Sequence, residues 1–262
     1  MAGKQTRFYV VTNGVRLHYL EFPGDGPPLV LLPGITSPAA NWGFVGEALA
    51  RTNHVYVLDN RGRGLSDQRP GLRYRLTDYA ADTAGLIGEL GLKKPVVLGH
   101  SMGGRIAVKF AADYPDLLSK VVMVDPPVSG PGRRPYPPPL QPYIDGLLAA
   151  SRGEPIDRRP GYTDEQHALR CEWLPTCSLE AVVQSYRNFQ LEDIHVEMPK
   201  IRCPALLVYA ELGGTIPEKD ADEVVRLIPD CRKVRVDRAG HMIPFDDLTG
   251  FIDAVRDFVK AG

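Results

Sequence analysis

A mostly parallel, twisted α/β sheet with helices on both faces and an inserted helical lid is the fold that three features of the sequence predict. Short continuous apolar runs recur along the chain, helix-period stripes separate them, and the alternation breaks once in a proline-rich stretch before resuming. Phe8 to Val11 and Val15 to Glu21 are β-type segments joined by Asn13-Gly14, a pair whose tolerance of positive φ makes it a hairpin signal. The runs Leu29 to Leu32, Val55 to Leu58, Val96 to Leu98, Val121 to Val124, Ala205 to Tyr209 and a broken Val234 to Val236 read as strands buried on both faces. Leu76, Tyr79, Ala80, Thr83, Leu86, Ile87 and Leu90 form a helical stripe that Gly91 is placed to end. Ile106, Ala107, Phe110 and Ala111 form another, and Leu248, Ile252, Val255, Phe258 and Val259 a third.

The break begins at Pro126. Eight of the 24 prolines fall between Pro126 and Pro142, where neither a helix interior nor a central strand can form. Helical stretches near Pro142 to Ser151, Thr163 to Trp173 and Leu179 to Phe189 follow, and the alternation resumes at Cys203. The expected organisation is a core of residues 1–125 and 199–262, with 126–198 inserted as a lid over the C-terminal strand ends, where open α/β sheets bind ligands.

At 262 residues, 44% hydrophobic and 24% charged, one domain buries a substantial core. With 31 basic against 32 acidic residues the formal net charge is −1, which excludes the basic footprint of a nucleic-acid binder. The apolar runs are too short to cross a bilayer, and no charged-then-apolar leader opens the chain. Cys171, Cys177, Cys203 and Cys231 contain no Cys-x-x-Cys pair, so reduced, buried thiols are expected rather than zinc or a disulfide framework. The expectation is a cytoplasmic protein, monomer or homodimer, that uses no metal and no organic cofactor and binds neither nucleic acid nor membrane.

The chemistry centres on Gly99-His100-Ser101-Met102-Gly103, between a buried strand and a helical stripe. Gly-x-Ser-x-Gly in that context is a nucleophile elbow: the glycines let strand and helix pack closely around a strained turn that lifts the serine Oγ above the sheet. A serine hydroxyl needs a base. Of six histidines, His241 stands on a loop after the final strand and before the last helix, last in the chain order this architecture requires. His18 and His54 lie in strand-like stretches, His100 inside the elbow with its ring expected to point away from Oγ, and His167 and His195 in the insertion. The acid is ambiguous. Gly213 stands where an aspartate is usual, Glu211 is close to the strand end, and Glu218 and Asp220 look like the start of a helix. Asp125, directly after Lys120 to Val124, is the stronger candidate. Met102 and Ile35, the latter in Pro33-Gly34-Ile35-Thr36, are placed to offer backbone N–H groups to an oxyanion. Asp59 to Ser66 is glycine-rich but lacks the Lys-Ser pair of a phosphate loop, and reads as a structural turn held by Arg and Asp hydrogen bonds.

Gly99 to Gly103, Pro33-Gly34, Asp59 to Ser66 and Ala239-Gly240-His241 together resemble the α/β-hydrolase superfamily across nearly the whole chain. Pro33 to Pro38, Trp42 to Val45, Val124 to Arg134, Leu169-Arg170, Glu172 to Leu174 and Gly240 to Pro244 are similar, more narrowly, to the N-formylmaleamate deformylase family of bacterial nicotinate degradation. That resemblance places the acid at Asp125 and implies a serine amidohydrolase that cleaves a C–N bond through a formyl-serine intermediate, with no cofactor. It implies a small amide substrate bearing a carboxylate, with water as second reactant. Arg133 and Arg134 are candidates to bind the carboxylate, because no acid between Pro126 and Tyr143 neutralises them; Tyr136, Arg170 and Trp173 are further candidates. The 2-(acetamidomethylene)succinate hydrolase family shares this acid placement and is the alternative. A carboxylesterase or lactonase is also open, since a triad alone does not choose between ester and amide, and so is a ligand receptor on the same scaffold. Haloalkane dehalogenases and epoxide hydrolases are disfavoured, because both carry an aspartate where Ser101 stands.

Overall fold

The computed structural model describes residues 6–260; the opening segment read above as lacking a leader lies largely outside them. A β-hairpin leads the chain: β1 (Thr6–Thr12) and β2 (Val15–Phe22) pair antiparallel, with Asn13 at φ 52° and Gly14 at φ 69° in the turn. Then follow β3 (Pro28–Leu32), α1 (Gly43–Leu49), β4 (His54–Leu58), α2 (Leu76–Glu89), β5 (Val96–His100), α3 (Met102–Asp113) and β6 (Lys120–Val124). Between β6 and the next strand come α4 (Gln141–Ser151), α5 (Asp164–Trp173) and α6 (Leu179–Leu191). The chain returns through β7 (Ala205–Ala210), α7 (Glu218–Leu227), β8 (Cys231–Val236), α8 (Ile243–Asp246) and α9 (Leu248–Lys260).

The strands form one eight-stranded sheet in the order β1-β2-β4-β3-β5-β6-β7-β8, antiparallel at the β1, β2 end and parallel from β4 to β8. Alternation along each strand feeds two cores. In β6, Val121 and Met123 face the layer that holds α2 and α3, while Val122 and Val124 face the layer of α1 and α9. Both sets are fully buried, which is why the run reads as continuously apolar. Phe251, Val255, Phe258 and Val259 of α9 are buried too, each contributing about 1.5–3 kcal/mol.

Two elements are weaker in the sequence than in the molecule. β8 begins at Cys231, three residues before the apolar run, because an edge strand needs only one apolar face. α1 spans seven residues and rests on Val45 and Leu49, too few turns to print a stripe. The four cysteines are free, as expected, but only Cys177 and Cys203 are buried; Cys171 and Cys231 are half-buried. Burial pushes the Cys177 thiol up to about 12, which leaves it unreactive. Among the described residues no helix is long and apolar enough to cross a membrane.

Candidate active site

Two residues just past neighbouring strand ends do the same thing. Ser101 follows β5 and donates its N–H to the Val124 carbonyl of β6 at 2.8 Å; Asp125 follows β6 and donates to the Val208 carbonyl of β7 at 2.8 Å. Each then turns with positive φ, 54° at Ser101 and 43° at Asp125, conformations that cost of order 1–3 kcal/mol for a non-glycine residue. The turns throw both side chains over the C-terminal edge of the sheet. The elbow needs its glycines: a Cβ on Gly99 would sit 2.0 Å from the Gly103 carbonyl oxygen, and one on Gly103 1.8 Å from that of Leu32.

His241 comes from the loop between β8 and α8. Its Nε2 lies 3.0 Å from Ser101 Oγ and its Nδ1 2.6 Å from Asp125 Oδ2. The loop is pinned from two sides: the Gly240 N–H donates to Asp246 Oδ2 at 2.9 Å, and His100 Nε2 donates to the His241 carbonyl at 2.8 Å. The His100 ring centroid lies 4.9 Å from that of His241. Burial, then the neighbouring His241, holds its pKa well below the usual histidine value, so it stays a neutral donor.

Asp125 is wholly buried, and its Oδ2 takes a second hydrogen bond from the Thr215 N–H at 2.7 Å. The Thr215 hydroxyl lies 2.7 Å from the Asp125 carbonyl oxygen and 3.1 Å from Oδ2. The rival acids are engaged elsewhere. Glu211 accepts from the Arg238 N–H at 2.8 Å, Asp220 pairs with Arg134, and Glu218 accepts from the Tyr209 hydroxyl at 2.6 Å.

Met102 is the first residue of α3, where an N–H has no intrahelical acceptor. Ile35 is buried beside the elbow: a Cβ on the preceding Gly34 would meet Ser101 Cβ at 3.4 Å. Both lie beside Ser101.

Above Ser101 a cleft of about 840 Å³ opens between the sheet edge and the 126–198 segment, lined by Ile35, Thr36, Tyr143, Arg159, Arg170 and His241 among others. Arg133 and Arg134 do not line it. Arg133 pairs with Glu223 at 2.6 Å and Arg134 with Asp220 at 3.1 Å, so acids from α7 neutralise a pair that looked free along the sequence. This corrects the expectation that they bind substrate. Tyr136 and Trp173 are buried outside the cleft wall; the Tyr136 hydroxyl hydrogen-bonds Tyr143 at 2.8 Å, and its ring packs edge-on against Phe189. Arg170 alone of that group faces the cleft. Arg159, unremarked in the sequence, joins it, with Nη2 3.2 Å from Thr36 Oγ1. Burial, then the Arg159 charge, lowers the Arg170 pKa to about 10, and its Nε has no partner. Among the described residues neither guanidinium is in an ion pair, although Asp145, Asp157 and Asp246 also line the cleft. The only signal for Arg159 in the sequence is an Arg-Arg-Pro-Gly turn between helices, which carries no chemistry by itself.

Residues 29–254 match the model of the alpha/beta hydrolase family. The chain belongs to that family. N-formylmaleamate deformylase of Pseudomonas putida is 48% identical over 254 residues, covering 95% of each chain. The 2-(acetamidomethylene)succinate hydrolase of Mesorhizobium japonicum is 30% identical, over 88% of this α/β-hydrolase and 90% of that enzyme. The crystal structure of an N-formylmaleamic acid deformylase from Pseudomonas putida S16 superposes with a TM-score of 0.90 at 43% identity, over 95% of this chain and all of that one.

Proposed function

We propose that this α/β-hydrolase is a serine amidohydrolase that converts N-formylmaleamate and water to maleamate and formate, a step of nicotinate breakdown. The observation that carries this reading is the Ser101–His241–Asp125 relay at 3.0 Å and 2.6 Å, opening on a cleft lined by Arg159 and Arg170, neither of which is in an ion pair among the described residues. Similarity to the two deformylases supports the substrate.

Ser101 Oγ attacks the formyl carbon as His241 Nε2 takes its proton, and Asp125 stabilises the imidazolium that results. The Ile35 and Met102 N–H groups hold the oxyanion. His241 then protonates the departing nitrogen, whose charge the remaining carbonyl delocalises, and maleamate leaves. Water, deprotonated by His241, cleaves the formyl ester and releases formate. Arg159 and Arg170 bind the substrate carboxylate, which brings the formyl end to Ser101. Residues 126–198 act as the lid that supplies both arginines and excludes bulk water.

The test offers purified protein N-formylmaleamate, an N-acetyl enamide and a simple aryl ester, and follows formate, acetate and phenol. The expected result is the highest kcat/KM on N-formylmaleamate. A higher value on the enamide moves the assignment to the 2-(acetamidomethylene)succinate hydrolase type, and one on the ester to a carboxylesterase. No turnover and no labelling of Ser101 by a fluorophosphonate points to a receptor.

A further inference from the structure

The Asp59–Ser66 turn takes no part in the relay, yet it delivers a charge beneath it. Arg63 is fully buried and lies outside the cleft wall. Its guanidinium donates only to neutral groups. Nε reaches the Ile35 carbonyl at 3.0 Å, and Nη1 the Arg61 carbonyl at 3.0 Å and the Tyr79 hydroxyl. Nη2 reaches the Ala181 carbonyl at 3.2 Å and the Ser185 hydroxyl at 3.0 Å, both on α6, and lies 3.7 Å from Met102 Sδ. The carboxylates near it are engaged elsewhere: Asp59 by His18 and the Ala39 and Leu65 amides, Asp82 by Arg61. Among the described residues no ion pair offsets its charge.

A buried guanidinium without a counter-ion is costly, and a methionine of similar length would fill the space without that cost. The placement accounts for its retention. Of all the groups it touches, two belong to Ile35 and Met102, the residues beside Ser101 to which the proposed function gives the oxyanion. We propose that Arg63 is a positioning residue for acyl transfer, its buried charge and its bond to the Ile35 carbonyl preorganising the oxyanion hole and stabilising the negative oxygen that forms there. The proposal rests on the reading of Ser101 as an acyl-transfer nucleophile. A neutral ground-state carbonyl gains little from the nearby cation while the tetrahedral oxyanion gains much, so the effect falls on kcat and spares KM. Docking of α6 completes the acceptor set, which ties formation of the hole to closure of the inserted segment over it.

The test compares the wild-type chain, Arg63→Met and Arg63→Lys by steady-state kinetics on N-formylmaleamate and p-nitrophenyl acetate. It also measures, by fluorine NMR, the pKa of the hemiketal that an aryl trifluoromethyl ketone forms with Ser101. Arg63→Met is expected to lower kcat about tenfold on both substrates with KM within about twofold, and to raise the hemiketal pKa by about one unit. Arg63→Lys keeps the charge without the fork, and is expected to hold the hemiketal pKa near the wild-type value. A merely structural arginine gives a different pattern: both variants lose stability and activity together while the pKa stays put. An unmoved pKa in folded Arg63→Met, or an equal rise in both variants, overturns the proposal. Should Arg63→Met fail to fold, Arg63→Gln takes its place, a hemiketal pKa raised by about one unit supporting the proposal and an unmoved one refuting it. A wild-type chain that forms the hemiketal but leaves N-formylmaleamate intact refutes the substrate assignment alone; one that forms no hemiketal refutes both.

Discussion

Asp125→Asn separates what the carboxylate does by charge from what it does by shape. Oδ2 accepts from His241 Nδ1 and from the Thr215 N–H, whereas Oδ1 is buried with no partner and faces Gly214. An asparagine oxygen at the Oδ2 position keeps both hydrogen bonds and leaves its amide unpaired, costing about 1–3 kcal/mol of stability. The flipped amide would oppose donors with a donor, which is worse. The imidazole therefore keeps the tautomer that leaves Nε2 free to accept the Ser101 proton, and only the ionic stabilisation of the imidazolium is lost. Two unit charges at roughly 4 Å with an effective dielectric constant of about 20 interact by about 4 kcal/mol. That is about a thousandfold in kcat, at about 1.4 kcal/mol per tenfold. The assay is formate release at saturating N-formylmaleamate, with Glu211→Gln as the control, because that carboxylate is tied to Arg238 and not to His241. A loss in Asp125→Asn below about tenfold, or an equal loss in Glu211→Gln, refutes the assignment of the acid.

Three further outcomes follow from the geometry. Arg159→Met is expected to raise KM by about ten- to a hundredfold with a smaller change in kcat, while Arg133→Met leaves KM unchanged; an unchanged KM in Arg159→Met with a raised one in Arg133→Met would return the carboxylate site to Arg133. Gly103→Ala drives a Cβ to within 1.8 Å of the Leu32 carbonyl oxygen, and denaturant unfolding should show a loss of about 3 kcal/mol or more, an unchanged midpoint arguing against the close approach of α3 to β3. His100 carries a depressed pKa in the folded chain, so the unfolded chain binds more protons just below the ordinary histidine value of 6.5. The stability it contributes is complete above that pH and falls on acidification by up to about 1.4 kcal/mol per pH unit. His100→Gln should flatten this slope in urea midpoints measured at about pH 5 and pH 7.5; parallel slopes would mean that His100 is protonated in the fold.

The parts that could be read along the chain are those whose physics is local. Asn13-Gly14 fixes its hairpin by two residues' tolerance of positive φ, and Gly99 to Gly103 fixes the elbow by the absence of two Cβ atoms. His241 could be chosen from six because its place after the last parallel strand is a matter of chain order. Arg133 and Arg134 misled for the opposite reason. Their neutralising acids, Glu223 and Asp220, lie about ninety residues away on a helix that only the folded sheet brings alongside. Arg159 went unseen because nothing near it in the chain distinguishes a cleft-lining arginine from a solvated one. The same holds for Thr215, whose role depends on the distance from β7 to the end of β6.

The place of Asp125 at the end of β6 accounts for the Gly213-Gly214 pair after β7. In the parallel sheet β7 lies directly beside β6, so a carboxylate at either strand end can approach a histidine on the loop after β8. With the Asp125 carboxylate beside it, the loop after β7 must leave it room. A Cβ on Gly214 would lie 2.5 Å from Asp125 Oδ1, and Gly213 turns at φ 72°, so a side chain at either residue would strain the turn or displace the carboxylate. The next residue, Thr215, then closes on Oδ2 with its N–H. The glycine turn after β7 thus leaves room for the Asp125 carboxylate, which sits 2.6 Å from His241 Nδ1.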